Sequence, residues 1–280
     1  MVIIYREDKD GNVIRFFQDG YLDKQLAVFK NAIEKHNTSA VIVIDGRSGM
    51  GKTTLANQVA KTLDKNYDLE KIFYNPDDFL AALKTAKKGD CLTFDEAMLI
   101  SSRSALSAIN KMIVMAMSMI RSKKLYIIFC VNSIFDLDKN LAISRADLLL
   151  HVYGQSLIDR GKFCAYFKAK DGNDRIKQLY LLGKKLYSYS RPKANYRGRF
   201  PKEFVVNEKE YEIRKQKGVN SFLGKTAGTR TVNAYQTRNA AVRALGDMGL
   251  TPQEVAKKTG LSLNIVYKIN EKLNKLDEFA

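Results

Sequence analysis

A short glycine-containing loop constrains the fold of this chain more than any other feature. Residues 46–53 read GRSGMGKT, in which a lysine and a threonine follow the second of two glycines spaced five positions apart. Before the loop stands AVIVIDG at 40–46, an apolar run typical of a strand covered on both faces, and after it KTTLANQVAKTL predicts a helix from Lys52. A buried strand, a glycine-rich turn and a helix N-terminus in this order predict a phosphate-binding loop of an α/β domain.

The residue types in this loop each have a physical reason. Glycines let backbone amides wrap a β-phosphate without Cβ clashes, and the helix N-terminus adds a partial positive charge. We expect Lys52 to bridge the β- and γ-phosphates of ATP and the Thr53 hydroxyl to ligate Mg²⁺. The predicted nucleotide contacts are Gly46, Arg47, Ser48, Gly49, Met50, Gly51, Lys52, Thr53 and Thr54.

An acidic pair follows a second apolar run about forty residues later. The segment CLTFDEA places Asp95 and Glu96 at the end of a predicted strand. An aspartate at the carboxyl end of a strand neighbouring the phosphate-loop strand can hold magnesium, usually through water. The adjacent Glu96 points elsewhere and can polarise the water that attacks the γ-phosphate. A helix cap or a solvated acidic pair is the alternative interpretation.

Further catalytic candidates follow later strands. Asn132 ends the apolar run LYIIFCV, where its side chain can contact the γ-phosphate or the attacking water and would resemble the polar sensor of ring ATPases. A plain strand-end turn is the alternative. Arg145 precedes the next strand and is the preferred candidate for an arginine finger acting across a subunit interface, with Arg103 and Arg121 as alternatives.

The wider pattern predicts an α/β fold with a parallel sheet covered by helices, because strand-like and helix-like segments alternate as far as residue 153. A hairpin turning at Asp10 and Gly11 precedes this alternation. After it, KFCAYFKAK and RIKQLYLL predict an antiparallel β extension at the edge of the sheet, with KLYSYS as a third strand.

The charge of the chain points to a polyanionic partner. Forty-seven Lys and Arg stand against 30 Asp and Glu, a formal net charge of +17, and much of the excess follows Lys184. Such an excess favours association with nucleic acid. The predicted domains are an ATPase domain with its β extension at 1–183, a basic connector at 184–233 and a small all-α domain at 234–280.

The C-terminal segment carries two helix starts. Thr251, Pro252 and Glu254 form a capping box with proline at its favoured first position, and Ser262 can cap a second helix after a turn at Gly260. The spacing of a small residue, this glycine and an apolar residue (Ala256, Gly260 and Val266) is typical of a helix-turn-helix.

In a helix-turn-helix the second helix lies in the major groove of double-stranded DNA and reads base edges, while flanking lysines contact phosphates. A helical domain used for protein contacts is the alternative. The predicted DNA contacts are Asn264, Tyr267, Lys268 and Lys272 on the second helix, and Lys257 and Lys258 before it.

The remaining composition limits the protein's surroundings. Cys91, Cys130 and Cys164 lie in apolar runs without metal-ligand spacing, which predicts buried, reduced thiols in a cytoplasmic protein. His36 and His151 are isolated in the sequence, and no apolar stretch approaches the roughly 20 residues of a spanning helix.

Several motifs together resemble a known group. GRSGMGKTT, FDEA, the run from ISSRSAL to IIFCVN and ISRADLLLHVY are similar to the additional-strand, catalytic-glutamate P-loop ATPases, and most similar to FtsK/HerA-type and Zot-like DNA translocases and viral packaging ATPases. The resemblance covers roughly 38–155. It implies a hexameric ring that couples ATP hydrolysis with Mg²⁺ to DNA movement or DNA remodelling, and an origin in a virus or mobile element.

Three hypotheses therefore stay open. The leading one is a DNA-directed motor or loader that uses Glu96 to activate water. The second is an ATP-switched DNA-binding regulator or transposition helper, which only directional motion distinguishes from a motor. The third is a small-molecule kinase, against which stand the pair Asp95 and Glu96, the DNA-binding-like C-terminal segment and the lack of an arginine-rich lid.

Overall fold

The computed structural model divides the chain into two units, Met1–Val219 and Asn220–Ala280. Residues 271–277 are described by their backbone alone. The described residues are 2–7, 11–36, 38–95, 116, 120–154, 156, 158–169, 171–218, 238–239, 242–243, 245–246 and 248–277.

Nine strands lie in the described part of the first unit. Two of them form the predicted N-terminal hairpin, in which Gly11 turns with a φ of +79°. The strands are β1 Val2–Glu7, β2 Val13–Gln18, β3 Ala40–Gly46, β4 Ile72–Phe73, β5 Cys91–Asp95, β6 Tyr126–Val131, β7 Leu148–Tyr153, β8 Lys162–Tyr166 and β9 Tyr196–Arg199.

Several helices of this unit begin at a side-chain cap. Asn75 caps the third helix by accepting the Asp78 N–H, and Pro76 stands at its first turn. The helices are α1 Gly20–Lys35, α2 Lys52–Leu63, α3 Pro76–Thr85, α4 Lys139–Ser144, α5 Arg175–Gly183 and α6 at 208–218, and residues 120–123 are also helical.

The central sheet has the order β4-β5-β6-β3-β7-β8-β9. Strands β3, β4, β5, β6 and β7 pair in parallel. Strands β8 and β9 are antiparallel additions at one edge of the sheet. All seven residues of β3 are buried, as expected for a strand covered on both faces. The α/β fold with a parallel sheet, helices and an antiparallel extension is therefore confirmed.

Two elements of the predicted extension are wrong. RIKQLYLL is not a strand but α5, which begins where the Asp174 side chain accepts the Lys177 N–H. Its buried positions are 176, 179, 180 and 183, which is a helical spacing, and the helix packs on α4 and on the 3₁₀ turn at Ile134–Asp136. KLYSYS is not a strand either, since a 3₁₀ turn at Lys184–Leu186 leads to Tyr187 at a φ of +50°.

The prediction of a connector at 184–233 is wrong over its described part. Residues 196–199 are strand β9, which pairs with β8, and 208–218 are helix α6 within the first unit. Tyrosine and phenylalanine between the arginines provide the reason, because their rings pack on the core while the charges stay outside. Residues 219–233 lie outside the described part of the chain.

The second unit contains two helices in the predicted positions, α7 Pro252–Thr259 and α8 Leu263–Asp277. Thr251 and Glu254 form the predicted capping box, and Gly260 turns with a φ of +69°. Val242, Val255, Val266 and Ile269 form a small buried core. The paired helices and their glycine turn are thus confirmed, while a DNA-binding role stays a prediction.

Candidate nucleotide site

The loop after β3 adopts a conformation that only glycine tolerates at certain positions. Gly46 has a φ of +140°, and a Cβ there would lie 2.2 Å from the Val152 carbonyl oxygen. Gly51 has a φ of +96° and leads into α2. Positive φ values of this kind are costly for residues with a Cβ. The two glycines of the motif are therefore required by backbone geometry.

Lys52 lies under the loop, with a side chain that is almost fully buried. Its ammonium group donates to the carbonyl oxygens of Gly46 at 2.8 Å and Arg47 at 3.2 Å, and to Oδ1 of Asn132 at 3.1 Å. Burial lowers the pKa of Lys52 below the ordinary value for a lysine. The predicted phosphate-binding lysine and the predicted sensor residue are in direct contact.

Thr53 and Asp95 also meet, as predicted for a magnesium site. The Thr53 hydroxyl donates to Oδ2 of Asp95 at 3.0 Å. Oδ1 of the same carboxylate is buried and has no hydrogen-bond partner among the described residues. An oxygen-rich pair with one buried, unsatisfied carboxylate oxygen fits the preference of Mg²⁺ for hard ligands.

The order of the strands that carry Asp95 and the loop differs from the sequence-based expectation. Asp95 was expected on a strand neighbouring that of the loop, but β6 lies between β3 and β5. The inserted strand is what brings Asn132, at the end of β6, between the loop and Asp95. Pairing order cannot be read from local apolar runs, since all three strands are continuous apolar segments.

Two of the remaining catalytic candidates are described, and neither contacts Lys52, Thr53 or Asp95. Glu96 and Arg103 lie outside the described residues. Arg145 and Arg121 are exposed and precede β7 and β6. They therefore lie near the amino ends of the parallel strands, whereas Lys52 lies at the carboxyl ends. The length of β3 puts Arg145 about 20 Å from the loop. Neither arginine reaches the site of its own chain.

Sequence reasoning missed a buried network behind the loop. Asp45, fully buried just before Gly46, accepts the Ile134 N–H at 2.8 Å and the Tyr189 hydroxyl, and its Oδ1 lies 2.9 Å from Nδ1 of His151. The imidazole stacks on the Tyr189 ring with centroids 3.6 Å apart. His151, isolated in the sequence, is therefore paired in the fold, and the network anchors the turn that follows Asn132.

Sequence reasoning also missed two residues of α6. The Tyr211 hydroxyl donates to Oδ2 of Asp95 and lies 3.4 Å from Oγ1 of Thr53. One helical turn later, the Lys215 ammonium is 3.8 Å from the same aspartate oxygen. The i, i+4 spacing of two polar side chains was the only signal available, and it is too common to single out a site.

In the second unit, the predicted DNA contacts lie on the outside of the helix pair. Lys257, Lys258, Asn264, Tyr267 and Lys268 are exposed, whereas Val266 is buried between the helices. The side chain of Lys272 lies outside the described part.

The three cysteines are buried, as predicted. Among the described residues, no cluster of His, Cys, Asp and Glu has the make-up of a metal site. Within the same residues, no helix combines the length and apolar character needed to cross a membrane.

A comparison with protein families matches residues 25–153 to the model described as "Novel STAND NTPase 3". This region contains the loop, Asp95, Asn132 and all the parallel strands of the sheet. The chain is a P-loop NTPase. The match does not assign the subclass, because it spans less than half of the chain.

Solved structures similar to this NTPase include two of Thermotoga maritima RuvB. The A156S mutant is 19% identical over 55% of this chain and 50% of that chain, with a TM-score of 0.36. The Holliday junction branch migration motor is 13% identical over 89% and 84%, with a TM-score of 0.35. The NTPase thus spans about half the length of the first of these proteins.

A third is the cytoplasmic domain of the Thermomonospora curvata type VII secretion ATPase EccC, 10% identical over 60% of this chain and 25% of that chain, with a TM-score of 0.32. Scores this low establish neither function nor subclass. A comparison of the NTPase with curated proteins finds no match.

Proposed function

We propose that this NTPase hydrolyses ATP with Mg²⁺ and acts as a DNA-binding motor or loader of the translocase type. The observation that carries hydrolysis is the convergence of Lys52, Asn132, Thr53 and Asp95 at the carboxyl ends of three parallel strands. A lysine and a threonine at a helix N-terminus supply phosphate binding, and a polar residue opposite them can sense the γ-phosphate.

Each residue of the nucleotide site has its own proposed role in hydrolysis. Lys52 exchanges loop carbonyl oxygens for phosphate oxygens, while Asn132 holds the ammonium from the other side at 3.1 Å. Thr53 and Asp95 would hold magnesium, and the ion would supply positive charge next to the phosphates. Glu96, the next residue after Asp95, takes the proton of the attacking water.

DNA is proposed as the partner because of charge. The chain has a formal net charge of +17. In the second unit, Lys257, Lys258 and Lys268 are exposed beside Asn264 and Tyr267, on helices joined by a glycine turn. Basic and amide side chains on one helix suit phosphates and base edges of double-stranded DNA.

An oligomer, such as the ring of translocases, is proposed because it would give Arg145 a nucleotide site to act on. This exposed arginine lies near the amino ends of the parallel strands, away from the loop of its own chain. As an arginine finger it acts only on a neighbouring subunit, so hydrolysis requires assembly. Arg145→Ala then lowers turnover without weakening nucleotide binding.

The test is steady-state ATPase activity with and without duplex DNA, at low and moderate salt. We expect stimulation by DNA that disappears in Lys52→Ala, and Glu96→Gln should retain ATP while losing turnover. Activity that DNA leaves unchanged would remove the coupling to DNA, and phosphate transfer to a small acceptor would instead indicate a kinase.

A second candidate is an ATP-switched DNA-binding regulator or transposition helper. The observation that favours it is the contact of Tyr211 and Lys215 with Asp95. These two residues belong to α6, the helix that precedes the second unit in sequence, and Asp95 belongs to the metal side of the nucleotide site. Movement of a labelled duplex by the assembled protein distinguishes the motor from the switch.

A further inference from the structure

Helix α6 places a hydroxyl where the magnesium side of the site is expected. The Tyr211 oxygen donates to Oδ2 of Asp95 and lies 3.4 Å from Oγ1 of Thr53. These are the two groups proposed to hold the ion, and Mg²⁺ binds oxygen at about 2.1 Å in a strict octahedron. An ion and its water shell between Thr53 and Asp95 require the space that the phenol oxygen takes.

The Tyr211 side chain is a donor in this position and not a ligand. It is buried, and its ring packs on Tyr74 and Phe204 at centroid distances of 5.8 Å and 5.3 Å. A neutral phenol competes with a cation for the carboxylate, because it keeps its proton.

Lys215 supplies the charge that the buried carboxylate needs. Its ammonium lies 3.8 Å from Oδ2 of Asp95 and 5.3 Å from the centre of the Tyr211 ring. An aspartate at 3% exposure is costly unless a positive group compensates it. A second cation at the same oxygen would be repelled by this ammonium, so the lysine and magnesium exclude each other.

We propose that α6 is a displaceable cover of the magnesium site, in which Tyr211 and Lys215 together substitute for the ion and leave when magnesium and nucleotide bind. This inference rests on the proposed function, since it needs magnesium to act at Thr53 and Asp95. It adds a cost to metal binding that is intrinsic to the chain. Removing the cover therefore strengthens metal binding, whereas a residue that merely supports Asp95 would weaken it when removed.

The experiment compares Tyr211→Phe with Tyr74→Phe. Tyr74 is the matched control, because it lies in the same ring cluster and its buried hydroxyl has no hydrogen-bond partner among the described residues. Binding of a fluorescent, non-hydrolysable ATP analogue is measured first with a chelator and then during a Mg²⁺ titration. Hydrogen exchange of residues 208–218 is followed in parallel on the unaltered protein.

We expect the half-saturating Mg²⁺ concentration to fall about tenfold in Tyr211→Phe, the change due when a hydrogen bond to a charged group no longer competes. Lys215→Met should shift it in the same direction, and Tyr74→Phe should leave it unchanged. In the unaltered protein, exchange at 208–218 should become faster once Mg²⁺ joins the bound analogue.

A higher half-saturating concentration in Tyr211→Phe, or unchanged exchange at 208–218 while Mg²⁺ binds, overturns the cover and leaves nucleotide binding in place. Failure of the analogue to bind under any condition is a different result. It removes the proposed function, and the cover falls with it. The exchange measurement needs no variant, so a substitution that fails to fold does not obstruct the test.

Discussion

The nucleotide site and the C-terminal helix pair are built in opposite ways. In the first, the contacts Lys52 to Asn132 and Tyr211 to Asp95 join residues 80 and 116 positions apart, and most of the atoms are buried. In the second, four small or medium apolar side chains form the core, and the proposed contact residues stand on the outside of neighbouring turns.

Because of this difference, substitutions should affect the two sites in different ways. Buried polar groups are costly unless every partner is in place, so the nucleotide site depends on its exact neighbours. Exposed lysines contribute through screened, long-range charge and tolerate rearrangement. One misplaced atom should therefore damage the first site, while the second should weaken by small and nearly equal steps.

The largest expected effect is that of Gly46→Ala. The added Cβ would lie 2.2 Å from the Val152 carbonyl oxygen, which belongs to the neighbouring strand and cannot move aside. We expect a loss on the order of 4 kcal/mol in the unfolding free energy of the first unit. Urea denaturation measures it. Gly172→Ala is the control, with a φ of +83° but open space around the new methyl group.

A loss for Gly172→Ala equal to that for Gly46→Ala would show that backbone strain alone decides the outcome. The close approach of β3 to β7 at the start of the loop would then carry no special cost, and the contrast between the two regions would weaken.

The next largest effect is that of Asp45→Asn. An asparagine offers one accepting oxygen instead of two, so its NH₂ group would face either Nδ1 of His151 or the two donors Ile134 N–H and Tyr189 hydroxyl, and the buried network must rearrange. We expect a loss of about 2 to 3 kcal/mol, measured by urea denaturation. Turnover should fall as well, because the turn after Asn132 is no longer held.

The matched control is Asp171→Asn, at an exposed turn where the carboxylate accepts the Asn173 N–H. It should leave both stability and turnover unchanged. If Asp45→Asn behaved in the same way, the buried network would have no part in positioning the site.

A smaller effect is expected in the helix pair. Val266 is fully buried between α7 and α8, and Val266→Ala should cost about 1 to 2 kcal/mol in the second unit. Ile265→Ala, at a side chain that is 37% exposed, should cost much less. The helical circular dichroism of residues 220–280 during thermal unfolding gives both values. Equal losses would contradict the helix faces as assigned.

The smallest effects belong to the exposed lysines. Lys257→Ala, Lys258→Ala and Lys268→Ala should each leave stability unchanged and weaken DNA binding a little. Each lost phosphate contact lowers the slope of log affinity against log salt by about 0.9. Fluorescence anisotropy with labelled duplex measures the slopes, and Lys87→Ala in the first unit is the control. Unchanged slopes would move the DNA site away from the helix pair.

Much of the fold could be predicted because its signals are local. The loop at 46–53 and the capping box of Thr251 and Glu254 depend on neighbours within a few residues, and both are found where expected. The error at 175–183 has a local cause too. An apolar run of this length fits a strand or a buried helix, and only burial at 176, 179, 180 and 183 distinguishes them.

The sequence by itself determined the phosphate loop, its strand and helix, and the pairing of helices at the C-terminus, because glycine, proline and capping side chains act on their own backbone. Only the tertiary structure decided that β6 separates β3 from β5, that Asp45 meets His151 and Tyr189, and that α6 returns Tyr211 to Asp95. These contacts follow from strand order and helix docking. Both are set by packing between segments far apart in the chain, which no local pattern encodes.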